Sequence, residues 1–188
     1  MDTGWAFAAL QGLGLAACAG LRTFLPLLVV GVAGRVGWLP LSPRFEWLAD
    51  NPALIAFGVA VVIEVAADKI PIVDHALDFL QVWMKPIAGA MLAASVTADL
   101  TPLQATVLTV VAGAAVAPVV HIAKAKFRLA TTALTGGLGN PLVSTAEDVG
   151  VVTASVASVF VPWLVLLAFA GMIAFWWRRR ARSAARPG

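Results

Sequence analysis

Residues 163–180 read WLVLLAFAGMIAFWWRRR, and this stretch decides the class of fold. An uninterrupted apolar run ends in Trp176 and Trp177 and is followed at once by three arginines. Tryptophans mark membrane interfaces, and an arginine cluster beyond them is typical of a cytoplasmic stop-transfer anchor. The stretch therefore predicts a membrane-spanning helix whose basic end lies in the cytoplasm.

The composition extends this interpretation to the whole chain. Of 188 residues, 61% are hydrophobic and 12% are charged, and the mean hydropathy is +0.91. Soluble domains carry about 25% charged residues. We expect one transmembrane domain over residues 1–177, with the lipid bilayer as its partner, and a basic cytoplasmic tail over residues 178–188. The tail explains the isoelectric point near 9.6, so no nucleic-acid partner is expected.

Six segments have the length and hydropathy of membrane helices, because a bilayer core needs about 20 apolar residues per helix. They predict an all-α integral membrane protein built as a six-helix bundle. The first segment is overlong and contains Pro26 and several glycines, so we expect it to be tilted, kinked or broken. The segments are Trp5 to Ala33, Pro52 to Ala67, Phe79 to Ala98, Pro102 to Ala123, Pro141 to Phe160, and Trp163 to Trp177.

The positive charges predict that both termini are cytoplasmic. With that orientation the outer side holds only Arg35 and Arg44, whereas ten positive residues lie on the inner side. An excess of Lys and Arg in cytoplasmic loops is the usual signature of orientation. The inner residues are Lys69, Lys85, Lys124, Lys126, Arg128, Arg178, Arg179, Arg180, Arg182 and Arg186.

Two matching helix starts suggest an internal repeat. Asn51-Pro52 opens the second segment of the first half, and Asn140-Pro141 opens the second segment of the second half. Three crossings per half would make the two halves inverted relative to each other. The fold is therefore expected to contain two inverted three-helix halves with broken helices. The many glycines and alanines permit close packing within or between subunits, so a homo-oligomer remains open.

A few ionisable residues lie inside the apolar segments, where each costs at least about 2.5 kcal/mol near the membrane centre. Such residues usually face a cavity or a partner. Glu64 and Asp68 are four residues apart and share one helix face. Glu147 and Asp148 lie about 10 Å inside the fifth segment. The two acidic pairs are expected to meet at similar depth, on antiparallel helices. The embedded residues are Arg22, Glu64, Asp68, His121, Glu147 and Asp148.

Four carboxylates cannot all stay ionised in a low-dielectric site without cations. Arg22, Lys69 or His121 is one source of neutralisation, and shared protons are another. A divalent cation is a candidate cofactor, and its metal ligands would be Glu64, Asp68, Glu147 and Asp148. A different interpretation is that Arg22 pairs with one acid only to fix helix packing.

Residues 131–145, TTALTGGLGNPLVST, form a polar, glycine-rich stretch directly before the second acidic pair. Irregular backbone at membrane depth is tolerated only where it is buried in protein or lines water. A re-entrant loop and an ordinary cytoplasmic loop both fit this pattern. In the first case Asn140 and Ser144 would contact a ligand at the start of a helix, where anions are favoured.

Three motifs, GLRTFLP (residues 20–26), EVAADKIPIVDH (residues 64–75) and GNPLVSTAEDV (residues 139–149), resemble one bacterial family. It is the integral-membrane family classed as domain of unknown function 4126. The resemblance covers nearly the whole chain except the arginine tail. It implies a small multi-pass protein of the bacterial inner membrane and assigns no substrate.

The embedded charges predict a small membrane transporter or channel-like protein. Arg22, Glu64, Asp68, Asn140, Ser144, Glu147 and Asp148 would form an intramembrane site for a cation, a proton or a lipid phosphate. The motivation is that charges beside helix breaks mark transporter sites. One alternative is a lipid-phosphate hydrolase with Thr23 or Ser144 as nucleophile, although no hydroxyl is visibly paired with a base. A second alternative is a non-catalytic membrane scaffold.

Overall fold

The computed structural model describes residues 4–67, 71–136 and 139–184, and these ranges form eight α-helices without a strand. A 3-10 helix precedes the third α-helix, and one π-helical turn joins the fifth to the sixth. The elements are α1 (Gly4–Leu21), α2 (Phe24–Arg35), a 3-10 helix (Pro43–Ala49), α3 (Asn51–Ala67), α4 (Pro71–Ser95), α5 (Pro102–Val111), a π-helix (Ala112–Val116), α6 (Ala117–Thr135), α7 (Asn140–Phe160) and α8 (Pro162–Ala184).

Several of these helices are long and apolar enough to cross a membrane. Within the described ranges, three stretches qualify by length and hydropathy: Gly4–Leu21, Pro102–Thr135 and Leu142–Phe160. A fourth qualifies if the 3-10 helix and α3, which meet at 63°, count as one bent span. The predicted all-α architecture with membrane-length helices is therefore confirmed. The bundle of six helices is not reproduced as such, and the six crossings stay a prediction.

Prolines and capping residues set most of the helix boundaries. Pro102 follows Thr101, whose hydroxyl accepts a hydrogen bond from the Gln104 amide while the Gln104 side chain accepts one from Thr101 N. This reciprocal arrangement satisfies two amides that the first turn leaves open. At the other end of the same rod, α6 ends at Gly136, whose φ of 62° is readily adopted only by a residue without a β-carbon.

The polar stretch 131–145 is mostly helical, which corrects the expectation of a loop there. Its first residues complete α6, and its last residues form the opening turns of α7, which begins at Asn140. Of the described residues, only Gly136 and Gly139 lie between the two helices. Neither a re-entrant loop nor a long cytoplasmic loop is formed by the described part of this stretch.

The helices α1 and α2 form a hairpin whose tip is at Arg22 and Thr23. At its open end, Gln11 donates a hydrogen bond to the Val159 carbonyl at 2.8 Å. Trp38, just beyond α2, packs against Phe160 with ring centroids 5.8 Å apart. At the tip, Arg22 lies 2.6 Å from Asp148, which is twelve residues before Phe160 and about 18 Å away along α7. The two helices therefore connect the same two levels of α7 in opposite directions.

This hairpin corrects the prediction that Trp5 to Ala33 forms one crossing segment. The predicted break is present, but the chain turns back at it and returns to the end of the bundle from which α1 came. A second contact at that end agrees, because Ser42 N donates to the Ser95 carbonyl at 2.8 Å. Pro26 explains the break, since its ring would collide with the carbonyl of Arg22 in a continuous helix and it offers no amide hydrogen.

Helix α1 lies at the centre of the bundle and packs against α4, α6, α7 and α8. Small residues bring the backbones close together. A β-carbon at Gly20 would lie 2.5 Å from the Ala117 carbonyl oxygen and 2.6 Å from Val120 Cβ. The outer helices instead expose apolar side chains, for example Val62 on α3 and Leu103 on α5. This distribution suits a protein whose surround is lipid rather than water.

The two proposed halves begin with different elements. The first half opens with the α1–α2 hairpin, whereas the second opens with a continuous stretch from Pro102 to Thr135. Helices α3 and α7 do run in opposite directions relative to the hairpin, as an inverted repeat requires. The inverted halves stay a prediction.

Candidate functional site

The hairpin tip places two helix ends inside the bundle. Helix α1 ends at Leu21 and α2 begins at Phe24, and the last carbonyls and first amides of helices have no partner within their own helix. Thr23 precedes α2 without a side-chain capping bond. Both Arg22 and Thr23 are 1% exposed. These backbone groups must therefore be satisfied by other parts of the protein.

The carboxylate of Glu64 binds the amide end of the break. Its Oε1 accepts a hydrogen bond from Thr23 N at 2.8 Å, and its Oε2 accepts one from Phe24 N at 3.2 Å. Gln81 of α4 donates to the same Oε1 at 3.5 Å. Glu64 is 2% exposed. A buried negative charge is stabilised here because the amides of a helix N-terminus carry partial positive charge.

The ammonium of Lys124 binds the carbonyl end of the same break. Its Nζ donates to the Leu21 carbonyl oxygen at 2.9 Å and lies 3.0 Å from Glu147 Oε2. A cation at a helix C-terminus is the electrostatic counterpart of an anion at an N-terminus. The two ends of the interrupted helix are thus held by side chains of opposite charge, one from α3 and one from α6.

Arg22 projects from the break towards α7. Its Nη2 lies 2.6 Å from Asp148 Oδ1 and donates to Ser144 Oγ at 3.0 Å. Its Nη1 donates to the Glu64 carbonyl oxygen at 3.5 Å. The Arg22 side chain is 1% exposed, whereas that of Asp148 is 24% exposed. Asp148 is therefore the most accessible carboxylate of the group.

These residues form one cluster, which we name the hairpin-tip centre. It draws side chains from the hairpin, α3, α6 and α7, and every member is buried or half-buried. Buried ion pairs contribute little to stability, because desolvation offsets the attraction between the charges. Ionisable groups kept at membrane depth therefore point to function. The members are Arg22, Glu64, Lys124, Ser144, Glu147 and Asp148.

A family model described as "Domain of unknown function (DUF4126)" matches residues 9–181. The chain belongs to the DUF4126 family. The matched residues contain the entire hairpin-tip centre and leave out only the two ends of the chain. Comparison with curated proteins and with solved structures found no significant match. The resemblance seen in the three sequence motifs is thus confirmed.

The DUF4126 structure brings most of the predicted site residues together. Arg22 was expected to pair with one of four carboxylates, and Asp148 is the partner. The expectation that Glu64 and the second acidic pair lie at similar depth is also confirmed, since Glu64 and Asp148 both contact Arg22. Asp68 and the side chain of Asn140 lie outside the described residues, so their predicted roles stay predictions.

The structure does not place the carboxylates around a common metal position. Among the described residues, no three side chains of His, Cys, Asp or Glu converge on a point that could hold a metal ion. Each described acid instead contacts backbone amides or a cationic side chain. Because Asp68 belongs to the predicted ligand set and is not described, the divalent-cation site stays a prediction.

Sequence analysis missed the structural role of two lysines in this DUF4126 chain. Lys85 and Lys124 were counted as cytoplasmic charges, but they are 1% and 8% exposed and lie inside the bundle. Removing them leaves eight positive residues against two in the orientation count, so the bias persists. A usable signal was available: Gln81 and Lys85 share one face of α4, and His121 and Lys124 share one face of α6.

Proposed function

We propose that this DUF4126 protein is a small membrane transporter that binds its substrate at the hairpin-tip centre. The observation that carries the proposal is the buried break between α1 and α2, whose two ends are held by Glu64 and Lys124. Transporter sites are typically formed by discontinuous helices whose ends face a polar site near the middle of the membrane. A static bundle needs neither the break nor its charged partners.

The contacts favour an anionic substrate, such as a phosphate or a phosphate-bearing lipid head group. Arg22 and Ser144 offer donors beside the opening turns of α7, where the helix dipole attracts anions. A guanidinium matches phosphate and carboxylate equally well in geometry. Asp148, the accessible carboxylate, occupies the position on Arg22 that an incoming anion would take. Substrate binding would then exchange one anion for another on a fixed cation.

The hairpin also bears on the orientation of the chain. If α1 and α2 enter the membrane and return, the helices α3, α4, α5–α6, α7 and α8 supply five crossings. An odd number places the termini on opposite sides, in place of two cytoplasmic termini. We propose that the basic C-terminal end is cytoplasmic, by the positive-inside rule, and that α1 begins on the outer side of the bacterial inner membrane.

Binding measurements test the anion proposal. Purified protein is titrated separately with inorganic phosphate and with short-chain phosphatidic acid while thermal unfolding is followed. At least one probe should raise the Tm in proportion to its concentration. Arg22→Gln should abolish the rise. Asp148→Asn should lower the apparent Kd at least tenfold, because it removes the competing carboxylate, and the exposed Asp50→Asn is the matched control.

Transport assays then separate the two sources of phosphate. Proteoliposomes are assayed for uptake of labelled inorganic phosphate and for movement of fluorescent phosphatidic acid between leaflets. Binding without either movement would refute transport. Stabilisation by a divalent cation that is lost in Asp148→Asn, with no response to phosphate probes, would refute the anion proposal and favour the cation predicted from sequence.

No contact favours the hydrolase alternative. Ser144 Oγ accepts a hydrogen bond from Arg22, and a guanidinium cannot act as a general base. The Thr23 hydroxyl is buried without a hydrogen-bond partner among the described residues. An activated nucleophile requires an adjacent base. A scaffold function likewise leaves the charged tip without a purpose.

A further inference from the structure

Lys85 and His121 form a buried polar pair beside the hairpin-tip centre. Lys85 of α4 is 1% exposed, and its Nζ lies 2.8 Å from Nδ1 of His121 on α6. We propose that this pair is the proton-binding site that couples substrate movement to protons. The proposal rests on the proposed transport function, but neither residue belongs to the hairpin-tip centre, so the two can be tested separately.

The contact itself makes the pair sensitive to protons. An ammonium has three donors and no acceptor, so Nδ1 must accept when Lys85 is charged, and the ring then carries its proton on Nε2. If the ring gains a second proton, both ring nitrogens become donors and Nδ1–H faces Nζ–H. The contact must then open, or Lys85 must release a proton to water. Uptake of one proton from water thus changes the geometry without any other reactant.

Histidine suits this role because it ordinarily exchanges its proton between about pH 5 and pH 8. His121 is half-buried, so protons have a route to it. The charged groups that surrounding elements contribute at this level are Arg22 on α1, Glu64 on α3, Lys124 on α6 and Glu147 on α7. They lie in the hairpin-tip centre, on the side of the pair towards the break.

Backbone packing fixes the distance between the two helices around the pair. A β-carbon at Gly113 would lie 2.7 Å from the Pro86 carbonyl oxygen, and one at Gly89 would lie 2.8 Å from Ala117 Cβ. Interiors this dense do not deform continuously. An added proton must therefore move the side chains of Lys85 and His121 rather than separate α4 from α6. The π-helical turn beside Pro86 is a feature that recurs at functional sites.

Each member of the pair is one helical turn from a residue that holds the tip. Gln81, four residues before Lys85, donates to Glu64 Oε1 at 3.5 Å. Lys124, three residues after His121, donates to the Leu21 carbonyl oxygen at 2.9 Å. Opening of the Lys85–His121 contact would therefore act on both ends of the break at once. This connection gives a proton bound at the pair a direct effect on the substrate site.

Nitrogen NMR of the histidine ring tests the chemistry directly. The chain contains two histidines, so His75→Gln leaves His121 as the only ¹⁵N-histidine signal in labelled protein in lipid nanodiscs. We expect the Nε2–H tautomer with Nδ1 as acceptor, and one conversion to the doubly protonated ring between about pH 5 and pH 8. Lys85→Met should shift the Nδ1 signal. An Nδ1–H tautomer, or no protonation over this range, would overturn the proposal.

Proton movement tests the function of the pair. Proteoliposomes containing a pH-sensitive dye receive an imposed membrane potential together with phosphate or phosphatidic acid. His121→Gln offers Lys85 an amide oxygen but cannot take up a proton, and it should reduce proton movement at least tenfold. His75→Gln is the matched control, and thermal unfolding verifies that each variant is folded. Unchanged proton movement in His121→Gln would refute the pair as the coupling site.

The two proposals fail in different ways. If neither phosphate probe binds, while the ¹⁵N titration and its dependence on Lys85 are as expected, the anion substrate is wrong and the proton site stands. If a phosphate probe binds through Arg22 and His121 does not titrate, the substrate site stands and the proton site is wrong.

Discussion

The carboxylate of Glu64 caps a helix to which it does not belong, by accepting a hydrogen bond from the amide of Thr23 at 2.8 Å. The two residues are 41 positions apart in the chain. The same carboxylate accepts a second bond from Phe24. Helix α3 buries little besides Glu64 and Ala67, so this bond ties a peripheral helix to the centre of the bundle.

Glu64→Gln should destabilise the protein. The amide keeps the shape of the side chain but removes the charge and one of the two acceptor oxygens, which leaves a buried backbone amide unsatisfied. The expected loss is about 1–3 kcal/mol, measured by unfolding in detergent mixtures. The exposed Glu46→Gln is the matched control and should change stability by less than about 0.5 kcal/mol. Equal stability of the two variants would contradict the capping role.

Arg22→Leu should destabilise the protein by about 3–5 kcal/mol, because it leaves Asp148 as an uncompensated charge at membrane depth. The double variant Arg22→Leu/Asp148→Leu should recover part of this loss. A double-mutant cycle measures the coupling between the two positions. Arg35→Leu, at an exposed arginine that bonds to the Ala49 carbonyl, provides the control. Strict additivity at Arg22 and Asp148 would show that the ion pair has no energetic role.

Lys124→Met and Lys126→Met form a matched pair of variants two residues apart. Lys124 binds the Leu21 carbonyl and Glu147, whereas Lys126 is exposed. Loss of Lys124 leaves both the buried carboxylate and the end of α1 without this cation, and we expect a loss of about 3–5 kcal/mol. Lys126→Met should be close to neutral. The same unfolding assay measures both, and similar losses would argue against the role assigned to Lys124.

Gly20→Ala and Gly58→Ala should change stability in opposite directions. A β-carbon at Gly20 meets the Ala117 carbonyl and Val120, and the backbone cannot move away without disturbing the hairpin tip. A β-carbon at Gly58 meets nothing within 4 Å. Alanine is the better helix former by about 1 kcal/mol, so Gly58→Ala should stabilise α3. Thermal unfolding compares the two, and a stable Gly20→Ala protein would show that α1 and α6 are less tightly packed.

Cysteine labelling tests the hairpin. In a Cys18→Ala background the chain has no other cysteine, so single cysteines at Gly4, Ser42 and Ser183 can be probed with impermeant reagents. The hairpin predicts that residues 4 and 42 react from one side of the membrane and residue 183 from the other. Labelling of residues 4 and 42 from opposite sides would restore a single crossing for the first segment.

The sequence by itself determined the environment, the helical class and the break in the first segment. Hydropathy is a local property, and the steric effect of Pro26 acts within one helical turn, so neither needs knowledge of the fold. Arg22, Glu64, Glu147 and Asp148 were identifiable because a charge in an apolar segment is expensive wherever the helices lie. The family was identifiable from three short motifs, which the match over residues 9–181 confirmed.

Only the tertiary structure decided where each charge is neutralised and which way the chain turns. Arg22 pairs with Asp148, Glu64 binds backbone amides, and Lys124 binds a carbonyl. Any of four acids offered Arg22 the same Coulombic attraction from sequence alone, and burial of the two lysines was invisible because it depends on neighbouring helices. A broken helix continues or reverses according to what packs against its two ends, and those contacts join residues more than 40 positions apart.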